Sequence, residues 1–179
     1  MLNTDNSVLF VIDVQDRLVG MLKNSEEIAN NNYILTKAAN ILGVPIIASE
    51  QYPQGLGNTI SEVGNNINPD NIFEKTTFSA LKDDSIKSKL NTLGRKKVIL
   101  TGIETHICVY QTARELMMSG YDVYIVKNAV SSRKSKDYKT ALELMRDCGA
   151  KLTCVETVLF EWLGSSKHPH FKEIQALIK

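Results

Sequence analysis

Short, continuously apolar segments alternate along this chain with longer segments whose apolar residues recur every three or four positions. The short segments are typical of strands buried on both faces of a parallel sheet, and the longer ones of helices with one apolar face. The apolar segments are Ser7 to Ile12, Val44 to Ala48, Ile72 to Lys75, Val98 to Leu100, Tyr121 to Val126 and Lys151 to Val155. They predict about six strands.

Helical periodicity occupies most of the intervals between these strands. The predicted helices are Ser25 to Leu42, Asp83 to Leu93, Thr105 to about Gly120, Lys136 to Asp147, Thr157 to Leu163 and His170 to Ile178. The glycine-rich and polar segment Ser49 to Thr59 predicts a loop. Because strands and helices alternate throughout, we predict one α/β domain over residues 1–179, with a mostly parallel sheet of about six strands.

Composition restricts the partners and the compartment that we expect. The chain has 21 basic and 20 acidic residues, so its charge gives no reason to expect nucleic acid or an anionic membrane as a partner. Its three cysteines lack Cys-x-x-Cys spacing and predict reduced thiols, as in the cytoplasm. Mitochondria also keep thiols reduced, but the N-terminus lacks an arginine-rich presequence and a signal peptide.

Three chemically reactive residues come at or just after predicted strand ends: Asp13, Lys75 and Cys108. The carboxyl ends of parallel strands share one edge of a sheet, so these side chains can converge there. Asp13 could then accept the thiol proton, Lys75 could stabilise negative charge, and Cys108 could attack a carbonyl carbon. Each residue also has a purely structural explanation. Asp13 could be a helix N-cap, Lys75 a solvated surface lysine and Cys108 a small core residue.

Cys108 falls in the first turn of the helix that begins near Thr105. A helix N-terminus lowers the pKa of a thiol, and its unpaired N–H groups can hold an anion. We therefore expect a reactive Cys108 with an oxyanion hole in the same turn. Cys148 and Cys154 are expected to be inert core thiols.

Three motifs in this chain resemble those of the isochorismatase-like cysteine hydrolases. They are LFVIDVQDRL around Asp13, EKTTFSAL around Lys75 and TGIETHICVYQTA around Cys108. The resemblance covers nearly the whole chain. The segments EQYPQGLG and AVSSR are most similar to the isochorismatase-domain-containing branch of that family.

The resemblance implies a Rossmann-like three-layer α/β/α fold and a catalytic triad of Asp13, Lys75 and Cys108. It implies hydrolysis of a C–N bond, in an amide or ureide of a small molecule, through a thioester acyl-enzyme. It also implies a cis peptide between Ile103 and Glu104, with an oxyanion hole formed there and at Cys108. A homo-oligomer is expected from the same resemblance.

The metal-binding branch of this family differs from the chain at one segment. Its nicotinamidases carry an Asp and two His after the second strand as metal ligands. The corresponding segment here, Ser49 to Pro53, has no histidine, and His106, His168 and His170 lack metal-ligand spacing with a carboxylate. We therefore expect no metal and no cofactor, and a substrate other than nicotinamide.

Substrate selectivity is assigned to Leu18, Tyr52, Phe78 and His106, although each is equally explained as a core or rim residue. The apolar segment Thr157 to Leu163, which contains Trp162, is the expected oligomer contact. Three other functions stay open. One is a non-catalytic oligomeric scaffold, and another is a vinyl-ether hydrolase of the isochorismate type, although true isochorismatases lack the cysteine. The third, a nucleotide-binding flavodoxin-like module, would need a glycine-rich phosphate turn that the chain lacks.

Overall fold

Six strands form one sheet in the computed structural model of this chain, which describes residues Met1 to Lys179. They are β1 (Ser7–Ile12), β2 (Ile46–Gln51), β3 (Ile72–Lys75), β4 (Lys97–Ile103), β5 (Asp122–Ser131) and β6 (Lys151–Thr153). Their order across the sheet is β3-β2-β1-β4-β5-β6, and every neighbouring pair is parallel. The predicted parallel six-stranded sheet is confirmed.

Helices cover both faces of this sheet. They are α1 (Asp16–Gly20), α2 (Ser25–Ile41), α3 (Pro53–Leu56), α4 (Ser61–Gly64), α5 (Asp84–Leu93), α6 (Tyr110–Met118), α7 (Ser135–Asp147), α8 (Val155–Leu163) and α9 (Phe171–Ala176). The core on one face includes residues of α2, α8 and α9, and the core on the other includes residues of α5, α6 and α7. The fold is therefore a Rossmann-like three-layer α/β/α arrangement. None of these helices has the length and apolar character needed to cross a membrane.

The two covered faces of the sheet explain why β1 is apolar at every position from Val8 to Ile12. Leu9 and Val11 belong to the core on the α2 side, whereas Val8, Phe10 and Ile12 belong to the core on the opposite side. Successive side chains of a strand point to opposite faces, and both faces of this sheet are covered. A continuous apolar run is the consequence.

Several elements extend beyond their predicted bounds. Strand β4 continues to Ile103, and β5 continues past Val126 to Ser131. The segment predicted as a loop contributes Ser49–Gln51 to β2 and contains the short helix α3. These strand ends remain in the sheet because their backbone groups pair in register with the neighbouring strands. The polarity of the side chains does not reveal this backbone pairing.

The segment Thr157 to Leu163 stays a predicted oligomer contact, but the structure leaves Phe160 rather than Trp162 exposed to make it. The Trp162 side chain is buried in the core on the α2 side, together with Val158, Leu159 and Leu163 of the same helix. Phe160 is the large apolar residue of α8 that is exposed. The apolar character of this segment is therefore explained mainly by packing onto the sheet.

The strand order creates a crevice at the carboxyl end of β1. From β1 the chain builds outward through β2 and β3, and it then returns to place β4 on the other side of β1. Ligands of open α/β sheets bind where the strand order reverses in this way. Asp13 follows β1, and the segment from Glu104 to Cys108 follows β4, so both leave the sheet at this crevice.

Gly102 allows β1 and β4 to approach closely at the edge of the crevice. It pairs with Ile12 and has a φ of +123°, a conformation that residues with a side chain rarely adopt. A Cβ atom on Gly102 would lie 1.9 Å from the carbonyl oxygen of Ile12. A glycine is therefore required beside the residue that precedes Asp13.

We predict that Gly102→Ala lowers the free energy of unfolding by about 3 kcal/mol or more, because the methyl group overlaps backbone atoms of β1. Gly20→Ala is the matched control. Gly20 lies in α1, where a methyl group would have no atom within 4 Å, and alanine favours the helix by up to about 1 kcal/mol. Urea denaturation compares the two variants. Equal stability of Gly102→Ala and wild type would contradict the close approach.

Candidate active site

Asp13 is the first residue after β1 and has a left-handed backbone, with φ of +51°. Its side chain is fully buried, and both carboxylate oxygens have partners. Ser49 Oγ donates to Oδ1 at 2.7 Å, and Lys75 Nζ donates to Oδ2 at 2.8 Å. The carboxylate is thus held in one orientation by residues from β2 and β3.

Lys75 ends β3, in register with Gln51 of the neighbouring strand. Its buried ammonium group donates to Asp13 Oδ2 and to Gln51 Oε1, the latter at 2.7 Å. The carbonyl oxygens of Thr77 and Phe78 lie 3.2 and 3.4 Å from the same nitrogen. A buried ammonium is tolerated only with such partners, so these contacts fix where its charge lies.

Cys108 lies in a π-helical turn, Thr105–Val109, between β4 and α6. Its thiol is almost fully buried, and both the Asp13 carboxylate and the Lys75 ammonium lie close enough to shift its pKa. The structure therefore brings together the three residues that the sequence singled out. A thiol, a carboxylate and an ammonium group share one buried site.

The pKa of the Cys108 thiol is shifted upward, and the expected lowering is wrong. Burial of the thiol raises its pKa most, and the negative charge of Asp13 raises it further. The positive charge of Lys75 opposes both effects but is smaller. At neutral pH the resting thiol of Cys108 therefore keeps its proton.

Burial also raises the pKa of Asp13 above its ordinary value, although the Lys75 charge and the hydrogen bonds from Lys75, Cys108 and Ser49 favour the ionised form. A carboxylate with a raised pKa is a stronger base than an exposed one. The pair is consequently suited to proton transfer from the thiol to the carboxylate during a reaction.

The other two thiols are less buried than predicted. Cys148, expected in the core, is exposed, because it caps the end of α7. Cys154 is half-buried, with its sulfur 3.1 Å from Thr157 Oγ1. Of the three cysteines, Cys108 is the one buried in the fold.

Glu104, which precedes the turn Thr105–Val109, holds the turn that carries Cys108. The peptide bond between Ile103 and Glu104 is cis, at the position that the resemblance implies. The Glu104 carbonyl accepts hydrogen bonds from Ile107 N–H at 3.0 Å and Val109 N–H at 3.3 Å, on either side of Cys108. The buried Glu104 carboxylate accepts one from Arg133 N–H at 3.2 Å, and Arg133 Nε lies 3.4 Å away.

The four residues assigned to the pocket have different surroundings. Leu18 is half-buried and packs against the core on the α2 side. Tyr52 and Phe78 are exposed, at 56% and 54%, and both lie next to Lys75 through backbone hydrogen bonds. His106 Nδ1 lies 3.0 Å from Ser132 Oγ, away from Tyr52 and Phe78 along the sheet edge.

No group of three or more histidine, cysteine, aspartate or glutamate side chains is arranged to hold a metal ion. The one carboxylate in the segment that corresponds to the metal ligands of the nicotinamidases belongs to Glu50. It is buried, and its Oε1 accepts a hydrogen bond from Thr59 N–H at 2.6 Å. Glu50 thus ties β2 to the loop between α3 and α4.

Ser49 and Gln51 are site residues that the sequence analysis missed. They stand two positions apart on β2, so their side chains leave the same face of the strand. Two polar residues at this spacing, directly after the apolar run Ile46 to Ala48, were the signal available. Their partners, Asp13 after β1 and Lys75 at the end of β3, are 36 and 24 residues away along the chain.

Comparison with known proteins gives a consistent family. A family model described as Isochorismatase domain matches residues 7–157. Isochorismatase family protein 1A of Dictyostelium discoideum is 38% identical over 98% of this chain and 87% of its own length. Isochorismatase domain-containing protein 1 of Salmo salar is 38% identical over 97% of this chain, which spans 61% of that longer protein.

Solved structures agree with this grouping. A structure of MAR1 ribonuclease from Caenorhabditis elegans is 40% identical, covers 99% of this chain and 91% of its own, and has a TM-score of 0.93. The YcaC gene product of Escherichia coli, described as an octameric hydrolase of unknown specificity, is 19% identical with a TM-score of 0.90. It covers 99% of this chain and 94% of its own, and the likeness shows a shared fold.

We predict that Lys75→Met lowers the free energy of unfolding by about 3–5 kcal/mol at neutral pH, because it leaves the Asp13 carboxyl buried without its cation. The loss should grow as pH rises above the ordinary pKa of an aspartate, since a lone buried carboxyl must stay protonated in the fold. Denaturant unfolding of the variant and the wild type at several pH values measures this loss of stability.

Lys82→Met is the matched control for this prediction. Lys82 pairs with Glu115 at 3.4 Å, but its side chain is 63% exposed, so the change should cost less than about 1 kcal/mol. If the two substitutions lowered stability equally, the Asp13–Lys75 pair would not be the buried interaction described.

Proposed function

Because the chain belongs to the isochorismatase family, we propose that it hydrolyses a C–N bond in an amide or ureide of a small molecule, with Cys108 as the nucleophile. One observation carries this proposal. A buried thiol lies close enough to a carboxylate for that carboxylate to shift its pKa, and the carboxylate is itself buried and bonded to an ammonium at 2.8 Å. This is the arrangement of a nucleophile with its general base and a group that orients the base.

The first half of the proposed reaction forms an acyl-enzyme. Asp13 accepts the Cys108 proton as the sulfur attacks the carbonyl carbon, so no free thiolate is needed in the resting protein. The tetrahedral intermediate then expels the amine, which takes the proton from Asp13. A thioester on Cys108 remains.

The second half returns the protein to its starting state. A water molecule attacks the thioester carbonyl and gives its proton to Asp13. The intermediate collapses, the sulfur leaves and recovers the proton, and the acid is released. Lys75 stays bonded to Asp13 throughout, and its charge favours the ionised carboxylate that each proton transfer requires.

The negative charge that develops on the substrate oxygen requires donors near Cys108. Backbone N–H groups of the turn after the Ile103–Glu104 peptide are assigned this role, since the Glu104 carbonyl and carboxylate hold that turn in place. Exposed Tyr52 and Phe78 beside Lys75 are assigned to substrate contacts at the rim. All steps use protein groups and water, so the proposed reaction is metal-independent.

A second candidate activity is cleavage of RNA. The observation that favours it is the 40% identity with the solved protein described as a MAR1 ribonuclease. The buried thiol and carboxylate suit attack on a carbonyl carbon better than phosphoryl transfer, which relies on cations placed around the phosphate. Amide hydrolysis is therefore the favoured activity.

Two further expectations remain proposals. A homo-oligomer is supported by the family resemblance and by the octameric assembly in the description of the YcaC gene product, which shares the fold. A cytoplasmic location is supported by the three free thiols alone.

A panel of small amides and ureides, read by mass spectrometry of the products, tests the proposed reaction. We predict that Cys108→Ala lowers the rate of any hydrolysis by on the order of 1000-fold or more, because the covalent route is lost. Cys148→Ala is the control and should leave the rate unchanged, since Cys148 is exposed and outside the site.

Full activity of Cys108→Ala on the amides would contradict the proposed nucleophile. An RNA oligonucleotide in the same panel separates the second candidate. RNA cleavage that depends on Cys108, without turnover of any amide, would favour the ribonuclease activity. A folded protein that turns over nothing would favour the non-catalytic scaffold.

A further inference from the structure

A hollow of about 1040 Å³ opens at the carboxyl end of β5, between the start of α7 and the segment that enters α2. Only three of the sixteen residues that line it are hydrophobic. Ligand pockets commonly have volumes of roughly 300–1,000 Å³ and are mainly apolar. This hollow is large enough for a ligand, but its polar walls fit a charged one.

Positive charge dominates the walls of the hollow. Six of its lining residues are cations and two are carboxylates, although the whole chain has nearly equal numbers of each. The cations are Lys23, Lys127, Arg133, Lys134, Lys136 and Lys139. A concave surface lined by one sign of charge concentrates the opposite ion, so the hollow attracts anions.

The two carboxylates in the hollow have partners other than these lysines. Glu27 Oε2 accepts a hydrogen bond from Asn24 Nδ2 at 3.3 Å, and Asp137 Oδ2 lies 3.9 Å from His106 Nε2. None of the five lysines of the hollow has a carboxylate oxygen within 4.0 Å. Their five positive charges are therefore available to a ligand.

Arg133, the remaining cation, joins the hollow to the turn that carries Cys108. Its N–H and Nε contact the buried Glu104 carboxylate. Ser132, which also lines the hollow, contacts His106 of the same turn at 3.0 Å. A ligand in the hollow would therefore lie next to residues that hold the turn, while the lysines supply the binding charge.

We propose that this hollow binds the phosphate group of a small phosphorylated molecule. A phosphate monoester is dianionic near neutral pH, and lysine ammonium groups bind phosphate as point charges from any direction. The hollow exceeds the size of a bare phosphate and leaves room for an organic group of nucleoside size. This site is separate from the proposed hydrolysis, and its binding does not depend on turnover.

Isothermal titration of the full chain with adenosine monophosphate, at low ionic strength, tests the proposal. The expected result is saturable one-site binding that inorganic phosphate competes for, and affinity at least tenfold above that of adenosine. Lys134→Gln/Lys136→Gln should weaken binding by roughly tenfold or more, because two charged contacts are lost. Both lysines are exposed, so the fold should tolerate the change.

Lys87→Gln/Lys89→Gln is the matched control, because it removes the same charge from α5, outside the hollow. It should change the affinity by less than about twofold, since neither lysine lines the hollow. Equal weakening by both double variants would overturn the proposal, as would equal affinity for adenosine. Binding of an RNA oligonucleotide without binding of the monophosphate or phosphate would also overturn it, in favour of an RNA surface.

Discussion

The buried ion pair between Asp13 and Lys75 is the interaction on which the rest of the site depends. Both side chains are removed from water, and their nitrogen and oxygen atoms are 2.8 Å apart. Removal of two charges from water is costly, so the pair persists only with further partners. Ser49 and Gln51 supply them from β2, and the carbonyl groups of Thr77 and Phe78 supply them from the loop after β3.

This pair also sets the chemistry of Cys108. A thiol at a helix start beside a lysine would ordinarily be a low-pKa nucleophile. Here burial and the nearby Asp13 carboxylate outweigh Lys75, and the pKa of the thiol rises. Under the proposed function, Cys108 is activated during the reaction by transfer of its proton to Asp13. A buried thiol that keeps its proton reacts slowly with oxidants and alkylating agents.

The sequence predicted the sheet and the three central residues because both follow from short-range patterns. Apolar runs such as Ser7 to Ile12 identify strands, and the polar residues that end them must meet at one edge of a parallel sheet. The pKa of Cys108 could not be predicted, since it depends on how deeply packing of the sheet and helices buries the thiol. Ser49 and Trp162 were misjudged for the same reason, because their surroundings come from distant parts of the chain.

The pH dependence of Cys108 alkylation by iodoacetamide, followed by peptide mass spectrometry, tests the central claim most directly. Exposed Cys148 serves as an internal reference in every sample. The account predicts that Cys108 reacts more slowly than Cys148 at neutral pH. Its rate should still rise above pH 9, and Asp13→Asn should shift that rise to lower pH by removing the negative charge beside the thiol. A Cys108 rate that levels off below pH 8 in the wild-type protein would show a resting thiolate and contradict the account.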